Sequence, residues 1–335
     1  MADTVYITTP EGPIPMRTSL SRRAGSRRTV SSKAVSLATA SLAAALVLAG
    51  CSSNAQESET GGGSEITRSV EHARGTAEVP ESPQRVVVLE PVELDTAVAL
   101  GVTPVGAAVA SNVAGVPEYL GVDGVEPVGT VPEPDLEAIA ELQPDLILGT
   151  DSRHSKLYEQ LNSIAPTVFM ETQADPWQEN VLLIADALGK PDEAQELLDG
   201  FNDRCEEIKD EFSVEGTTAN MVRPRDETTL SLYGPVSFAG GALECVGFTI
   251  PEQNWEDGLQ ADISPENILQ AKADHVFVTT SDVTDESTMP DAITQNSAEF
   301  PSVTLVDTSY WVSGVGPRGG ELVLDDIEEF LRSQQ

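Results

Sequence analysis

Residues 191–212 read PDEAQELLDGFNDRCEEIKDEF. Pro191 suits the first helical position, where its missing N–H costs nothing, and Asp192 and Glu193 suit the positive end of the helix dipole. From there Ala194, Leu197, Leu198, Phe201, Cys205, Ile208 and Phe212 recur at steps of three and four. They form one apolar stripe over a helix about 33 Å long at the usual rise per residue. Only Gly200 interrupts it, at about 1 kcal/mol relative to Ala. A helix of this length is a rigid strut, so the segments on either side decide the architecture.

Toward the N-terminus, β-branched runs alternate with helical patterns. Arg85–Glu90 (RVVVLE) is a near-continuous apolar run, as in a buried strand. Leu94–Leu100 reads as a helix stopped by Gly101, Pro104–Val109 as a strand and Pro134–Leu142 as a helix. Asp145–Gly149 follows as a strand, Leu157–Ile164 as a helix, Thr167–Met170 as a strand and Trp177–Leu188 as a helix. Beyond residue 212, Ala219–Arg223, Leu230–Tyr233, His275–Thr280 and Val303–Asp307 read as strands. Leu243–Val246, Pro265–Ala271 and Leu322–Arg332 read as helices. The alternation predicts an α/β fold: two α/β lobes with mainly parallel sheets, residues 66–190 and 213–335, joined by the single long rigid helix 191–212. Ligands of open α/β sheets sit beyond the carboxyl ends of the strands, so two facing lobes make a cleft there.

Ahead of the fold, Arg17, Arg22, Arg23, Arg27, Arg28 and Lys33 precede an apolar run from Val35 to Ala49. This is the layout of a secretory signal peptide over residues 1–50, too short for a membrane span. Residues 1–15 do not look like an n-region, and Met16 is an alternative start. Leu48-Ala49-Gly50-Cys51 resembles the bacterial lipobox, in which the Cys receives a diacylglycerol and becomes the new N-terminus. Residues 51–65, polar and Gly/Ser-rich, then read as a flexible tether. The expected location is the outer face of the cytoplasmic membrane, with a lipid anchor.

Cleavage before Cys51 removes six of the 19 Lys+Arg and two of the 55 Asp+Glu, leaving 13 basic and 53 acidic residues and a formal charge of −40. That charge excludes the basic face of a nucleic-acid binder and suits a solvated exported protein. Cys205 and Cys245 can form one disulfide outside the cell or remain two buried thiols; the place of Cys205 on the apolar stripe favours the thiols. His72, His154 and His275 are too scattered for a dedicated metal site. There is no Gly-x-Ser-x-Gly elbow, His-Glu-x-x-His motif or P-loop, and no enzymatic activity is expected.

Several stretches together resemble a known family. Pro83–Leu89 with Asp95–Gly106 (PQRVVVL…DTAVALGVTPVG), Asp135–Leu148 (DLEAIAELQPDLIL) and Ile164–Val168 (IAPTV) carry the first part. Leu232–Gly247 (LYGPVSFAGGALECVG), Ile263–Val278 and Trp311–Pro317 (WVSGVGP) carry the second. The set resembles the periplasmic binding proteins that deliver ferric siderophores and cobalamin to ABC importers, of the type with a helical backbone between lobes. The resemblance implies a monomeric lipoprotein that captures a ferric siderophore in the cleft and hands it to a permease. Iron would enter only within the siderophore complex, with no cofactor of the protein's own. Cobalamin or haem is the alternative ligand in the same fold; haem would want an axial Tyr or His, from Tyr233, Tyr310 or His154.

A ferric siderophore needs aromatic faces for stacking and Arg forks for its iron-bound oxygens. The candidate ligand contacts are Arg225, Arg223, Tyr233, Trp311, Tyr310, Trp177, Arg153 and His154, most of them in segments after strands. The acidic stretch Glu90–Glu93 and the segments Ala110–Val113 and Thr150–Lys156 are expected to line the first lobe's side. The scarcity of basic residues favours a neutral or cationic hydroxamate complex. Glu137 and Glu266 open two echoing segments, Leu136–Leu148 and Pro265–Val278, one per lobe. The resemblance implies that such a pair docks onto Arg residues of the permease, setting register more than affinity.

Overall fold

In the computed structural model, residues 66–110, 115–173, 176–255 and 258–335 are described. Two units divide the chain, Met1–Gly61 and Gly62–Gln335, and the fold belongs to the second. The signal peptide, Cys51, the tether and residues 111–113 of the Ala110–Val113 segment lie outside the described residues.

The first part of the fold runs β1 (Thr67–His72), β2 (Gly75–Pro80), β3 (Val86–Val88), α1 (Pro91–Ala99), β4 (Gly106–Val109), β5 (Glu126–Thr130), β6 (Glu133–Pro134) and α2 (Leu136–Glu141). It continues through β7 (Leu146–Thr150), α3 (Asp151–His154), α4 (Tyr158–Ile164), β8 (Thr167–Met170) and α5 (Trp177–Leu188). The long helix is α6 (Pro191–Phe212), with the bounds its apolar stripe predicts. The second part comprises β9 (Ala219–Pro224), β10 (Leu230–Tyr233), α7 (Phe238–Cys245), β11 (Gln260–Ile263), β12 (His275–Thr280), α8 (Asp291–Gln295), β13 (Val303–Asp307), α9 (Thr308–Trp311) and α10 (Pro317–Ser333).

Strands β6-β5-β4-β3-β7-β8 form a six-stranded sheet, parallel throughout except for the short edge strand β6. The continuous burial of Val86–Val88 and Leu146–Thr150 is what a central parallel strand demands. The second sheet, β11-β10-β9-β12-β13, is parallel only from β9 to β13; β10 runs antiparallel to both of its neighbours. The hairpin β1–β2 stands apart, held to the first lobe by the Ala73 N–H donating to the Phe169 carbonyl (3.0 Å).

Helix α6 packs on α5 and α10, with Ala194, Leu198, Phe201, Cys205 and Ile208 buried, as the stripe requires. Arg204 on its outer side bridges to Asp325 (2.7 Å), Glu328 (2.5 Å) and Glu321 (3.7 Å) of α10. Cys205 and Cys245 form a disulfide, correcting the expectation of free thiols. The reason is tertiary: α7 lies across α6 with the two Cα atoms 5.5 Å apart.

Helix α1 begins earlier than the sequence pattern suggests. Pro91 takes the first helical position, and Glu93 Oε2 accepts the backbone N–H of Leu89 (2.8 Å) and of Glu90 (3.0 Å). The acidic stretch 90–93 is thus a helix start, not a loop.

Candidate functional site

The parallel strands of both sheets point their carboxyl ends at one cavity of 860 Å³ between the lobes. From the first lobe, Pro91 and Leu94 of α1, Val109, Val116 and Tyr119 make a mainly apolar wall, with Glu118 its one charge. From the second lobe, Arg223 lies near the end of β9 and Arg225 just beyond it, Thr280 and Ser281 lie at the end of β12, and Asp307 to Ser309 lie at the end of β13. Asp307 is engaged locally, its Oδ1 accepting the Ser309 N–H (2.7 Å) at the start of α9.

Among the described residues, no carboxylate lies within 4.0 Å of Arg223 or Arg225. Neighbouring Asp226 instead accepts the hydroxyl of Thr228 (2.7 Å) and its backbone N–H (2.8 Å), which holds its carboxyl below the usual range. Arg223 donates from Nη1 to the Tyr233 hydroxyl (3.2 Å). Tyr233 itself does not line the cavity: β10 is antiparallel, so its carboxyl end points away from the cleft. It steadies Arg223 from behind.

Three expected ligand contacts are core residues instead. Trp311 is 1% exposed, stacked on Phe277 with centroids 5.0 Å apart, and its Nε1 donates to Asp326 Oδ2 (2.8 Å). Trp177 is buried edge-on between Phe201 (5.2 Å) and Phe238 (5.3 Å), where α5 meets α6 and α7. His154 is fully buried: its Nδ1 accepts the Thr150 N–H (3.2 Å), which leaves Nε2–H to donate to the Val131 carbonyl (2.7 Å). Burial lowers its pKa, so the ring is held neutral. With both nitrogens used, it has none for a ligand or a haem iron.

Two others do not line the cavity. Tyr310 donates its hydroxyl to Asp326 Oδ2 (2.9 Å) and meets the Tyr119 ring edge-on at 6.0 Å. Arg153 is 46% exposed but turned to Glu90, 3.5 Å from Oε1, and donates from Nε to Gln173 Oε1 (3.1 Å).

Glu90 faces neither ligand nor solvent. It is buried and accepts Gln173 Nε2 (2.7 Å), and burial pushes its pKa up to about 7 against the pull of Arg153. Glu93 beside it is raised too, by burial and then by Glu90. Asp95, buried on the same helix, is pushed up to about 6 by burial, opposed by the hydrogen bonds it accepts.

Glu137 and Glu266 are both exposed. Their segments differ locally: Asp135 caps α2, its Oδ1 accepting the N–H of Glu137 (3.0 Å) and of Ala138 (3.1 Å). Pro265–Ala271 is instead a 3-10 segment that leaves helical geometry at Asn267.

Sequence reading missed Tyr119, the aromatic side chain on the cavity wall among the described residues. It sits in a short 3-10 turn, Glu118–Leu120, where no hydrophobic period marks it. Thr280 and Ser281 were findable, since they lie at the carboxyl end of a parallel strand as Arg225 does.

The sequence profile of the family described as periplasmic binding protein matches residues 86–304. The probable siderophore-binding lipoprotein YfiY of Bacillus subtilis is 34% identical over 309 residues, covering 85% of this chain and 94% of that one. The Fe(3+)-citrate-binding protein YfmC of the same organism is 30% identical over 243 residues, covering 71% and 76%. Among solved structures, Staphylococcus aureus SirA complexed with staphyloferrin B superposes with a TM-score of 0.65 at 29% identity, covering 79% of this chain and 99% of that one. The sequence profile and the structural superposition thus agree, and this chain belongs to the periplasmic binding protein family.

Proposed function

We propose that this chain is the extracytoplasmic solute-binding component of an ABC importer and captures an anionic ferric siderophore in its inter-lobe cleft. The observation that carries the reading is the pair Arg223 and Arg225, on the cavity wall with no carboxylate beside them. In a mature chain of formal charge −40, two adjacent guanidinium groups without acidic partners call for an anionic one. Composition alone favours a neutral or cationic hydroxamate, but a ligand responds to the groups that line its site. The apolar wall with Tyr119 suits the organic shell of a chelate, and 860 Å³ suits a small-molecule ligand. The names of the relatives, siderophore-binding and Fe(3+)-citrate-binding, support the same class. The siderophore supplies the iron's donors, and the protein acts as a monomer without a cofactor of its own.

Lipidation at Cys51 would tether the protein to the outer face of the membrane, and Glu137 and Glu266 would dock the loaded lobes onto the permease. Charge reversal at both Glu residues should abolish iron uptake in cells and leave ligand affinity unchanged; normal uptake would remove the docking assignment.

The decisive experiment is calorimetric titration of the purified chain with ferric citrate, a ferric catecholate, a ferric hydroxamate, cobalamin and haem. One-to-one binding of an anionic ferric chelate, lost in Arg223→Ala with Arg225→Ala, is expected. Tightest binding of cobalamin, haem or a cationic hydroxamate would overturn the ligand class.

A further inference from the structure

The seam between the lobes passes through one buried carboxylate. Asp95 lies on α1 of the first lobe, with no exposed surface. Its Oδ2 accepts the Tyr119 hydroxyl (2.8 Å) and the backbone N–H of Gly319 (2.8 Å), and its Oδ1 accepts the N–H of Arg318 (2.8 Å). Arg318 and Gly319 belong to the first turn of α10 in the second lobe, whose N-cap, Gly316, has no side chain to offer. Asp95 therefore does from the opposite lobe what a capping side chain usually does from its own chain. The close approach depends on glycine. A Cβ on Gly316 would run into the Asp95 carboxylate, and one on Gly314 would lie 2.6 Å from the Tyr119 hydroxyl.

We propose that Asp95 is a positioning residue that pins α10 of the second lobe to α1 of the first and holds the Tyr119 ring in the cavity wall. The linking helix limits how the lobes move; the pin fixes where they stop. One buried carboxylate then sets both the opening of the cleft and its aromatic face. The ligand half of this inference rests on the reading of the cleft as a ferric-chelate site, and the pin itself does not.

The test uses Asp95→Asn, which keeps the shape but replaces one acceptor oxygen with a donor, and Tyr119→Phe, which keeps the ring and removes its anchor. Hydrogen exchange on the full, unliganded chain should show the amides of Arg318 and Gly319 exchanging at least about tenfold faster in Asp95→Asn, with α6 unchanged. In Tyr119→Phe these amides should stay protected. Both variants should bind ferric citrate about five- to tenfold more weakly than the parent chain. Parent-like exchange at residues 318 and 319 in Asp95→Asn would overturn the pin, whatever the binding data. Faster exchange with unchanged ferric-citrate affinity in both variants would overturn the positioning of Tyr119. A parent chain that binds no ferric chelate would sink the functional reading, while exchange would still decide the pin.

Discussion

The two walls of the cleft are built from similar sheets and do different chemistry. On the first lobe, the carboxyl ends of β3 and β4 deliver Pro91, Leu94 and Val109, and the 3-10 turn Glu118–Leu120 adds Tyr119. On the second, the ends of β9, β12 and β13 deliver Arg223, Arg225, Thr280, Ser281 and Ser309. The first lobe buries three of its nearby charges and leaves Glu118 on the wall: Glu90, Glu93 and Asp95 all sit behind it, bonded to backbone or neighbours. The second leaves Arg223 and Arg225 without a carboxylate partner among the described residues. One half offers a mainly apolar face and the other offers guanidinium and hydroxyl donors, so a molecule filling the cleft meets both.

The largest effect should come from removing the donors. Arg223→Ala with Arg225→Ala should weaken binding of an anionic ferric chelate by about three orders of magnitude, as two charge-assisted contacts imply, and leave a neutral chelate nearly unaffected. Equal losses for both ligand types in calorimetry would erase the distinction between the walls.

Next is the unequal attachment of the lobes to the strut. The disulfide ties α6 covalently to α7 of the second lobe, whereas the first lobe holds α6 by the packing of α5. Cys205→Ser with Cys245→Ser should cost about 4 kcal/mol, from a loop of 40 residues. Urea unfolding that is insensitive to reductant would contradict the bridge.

On the apolar wall, Tyr119→Ala should weaken binding by about tenfold through lost ring contact, for charged and neutral chelates alike. A selective loss for anions would assign Tyr119 a polar role.

The smallest effect concerns the buried carboxylates. Glu90 is raised to about 7 from an ordinary 4.5, so the native state holds its proton more tightly than the unfolded chain does. Its contribution to stability is full below pH 4.5 and is lost as pH rises through 7. Thermal unfolding of Glu90→Gln should therefore show a weaker fall in stability from pH 5 to pH 8 than the parent. Parallel pH profiles would place the charge of Glu90 in a far more polar setting.

The site was less legible than the frame because its residues carry no periodic signal. Arg223 and Arg225 were findable, since rare cations after a strand in an acidic chain stand out. Trp177, Trp311 and His154 were assigned to the cleft by residue type and by their place after strands. A large ring placed near a strand end serves equally as core, and only the neighbours Phe201, Phe238 and Phe277 decide between the two. Tyr233 failed for another reason: strand direction within a mixed sheet is not written in a four-residue run.

By itself the sequence determined the long helix at 191–212, the strands at 167–170 and 275–280 and the α/β alternation around them, because apolar periodicity and caps are local signals. Tertiary structure alone decided that Cys205 meets Cys245, that Asp95 caps a helix 222 residues further along the chain, and that Tyr119 rather than Trp311 faces the cleft. Each of these depends on two segments distant in sequence arriving at hydrogen-bond or bonding distance, which packing sets and local pattern does not encode.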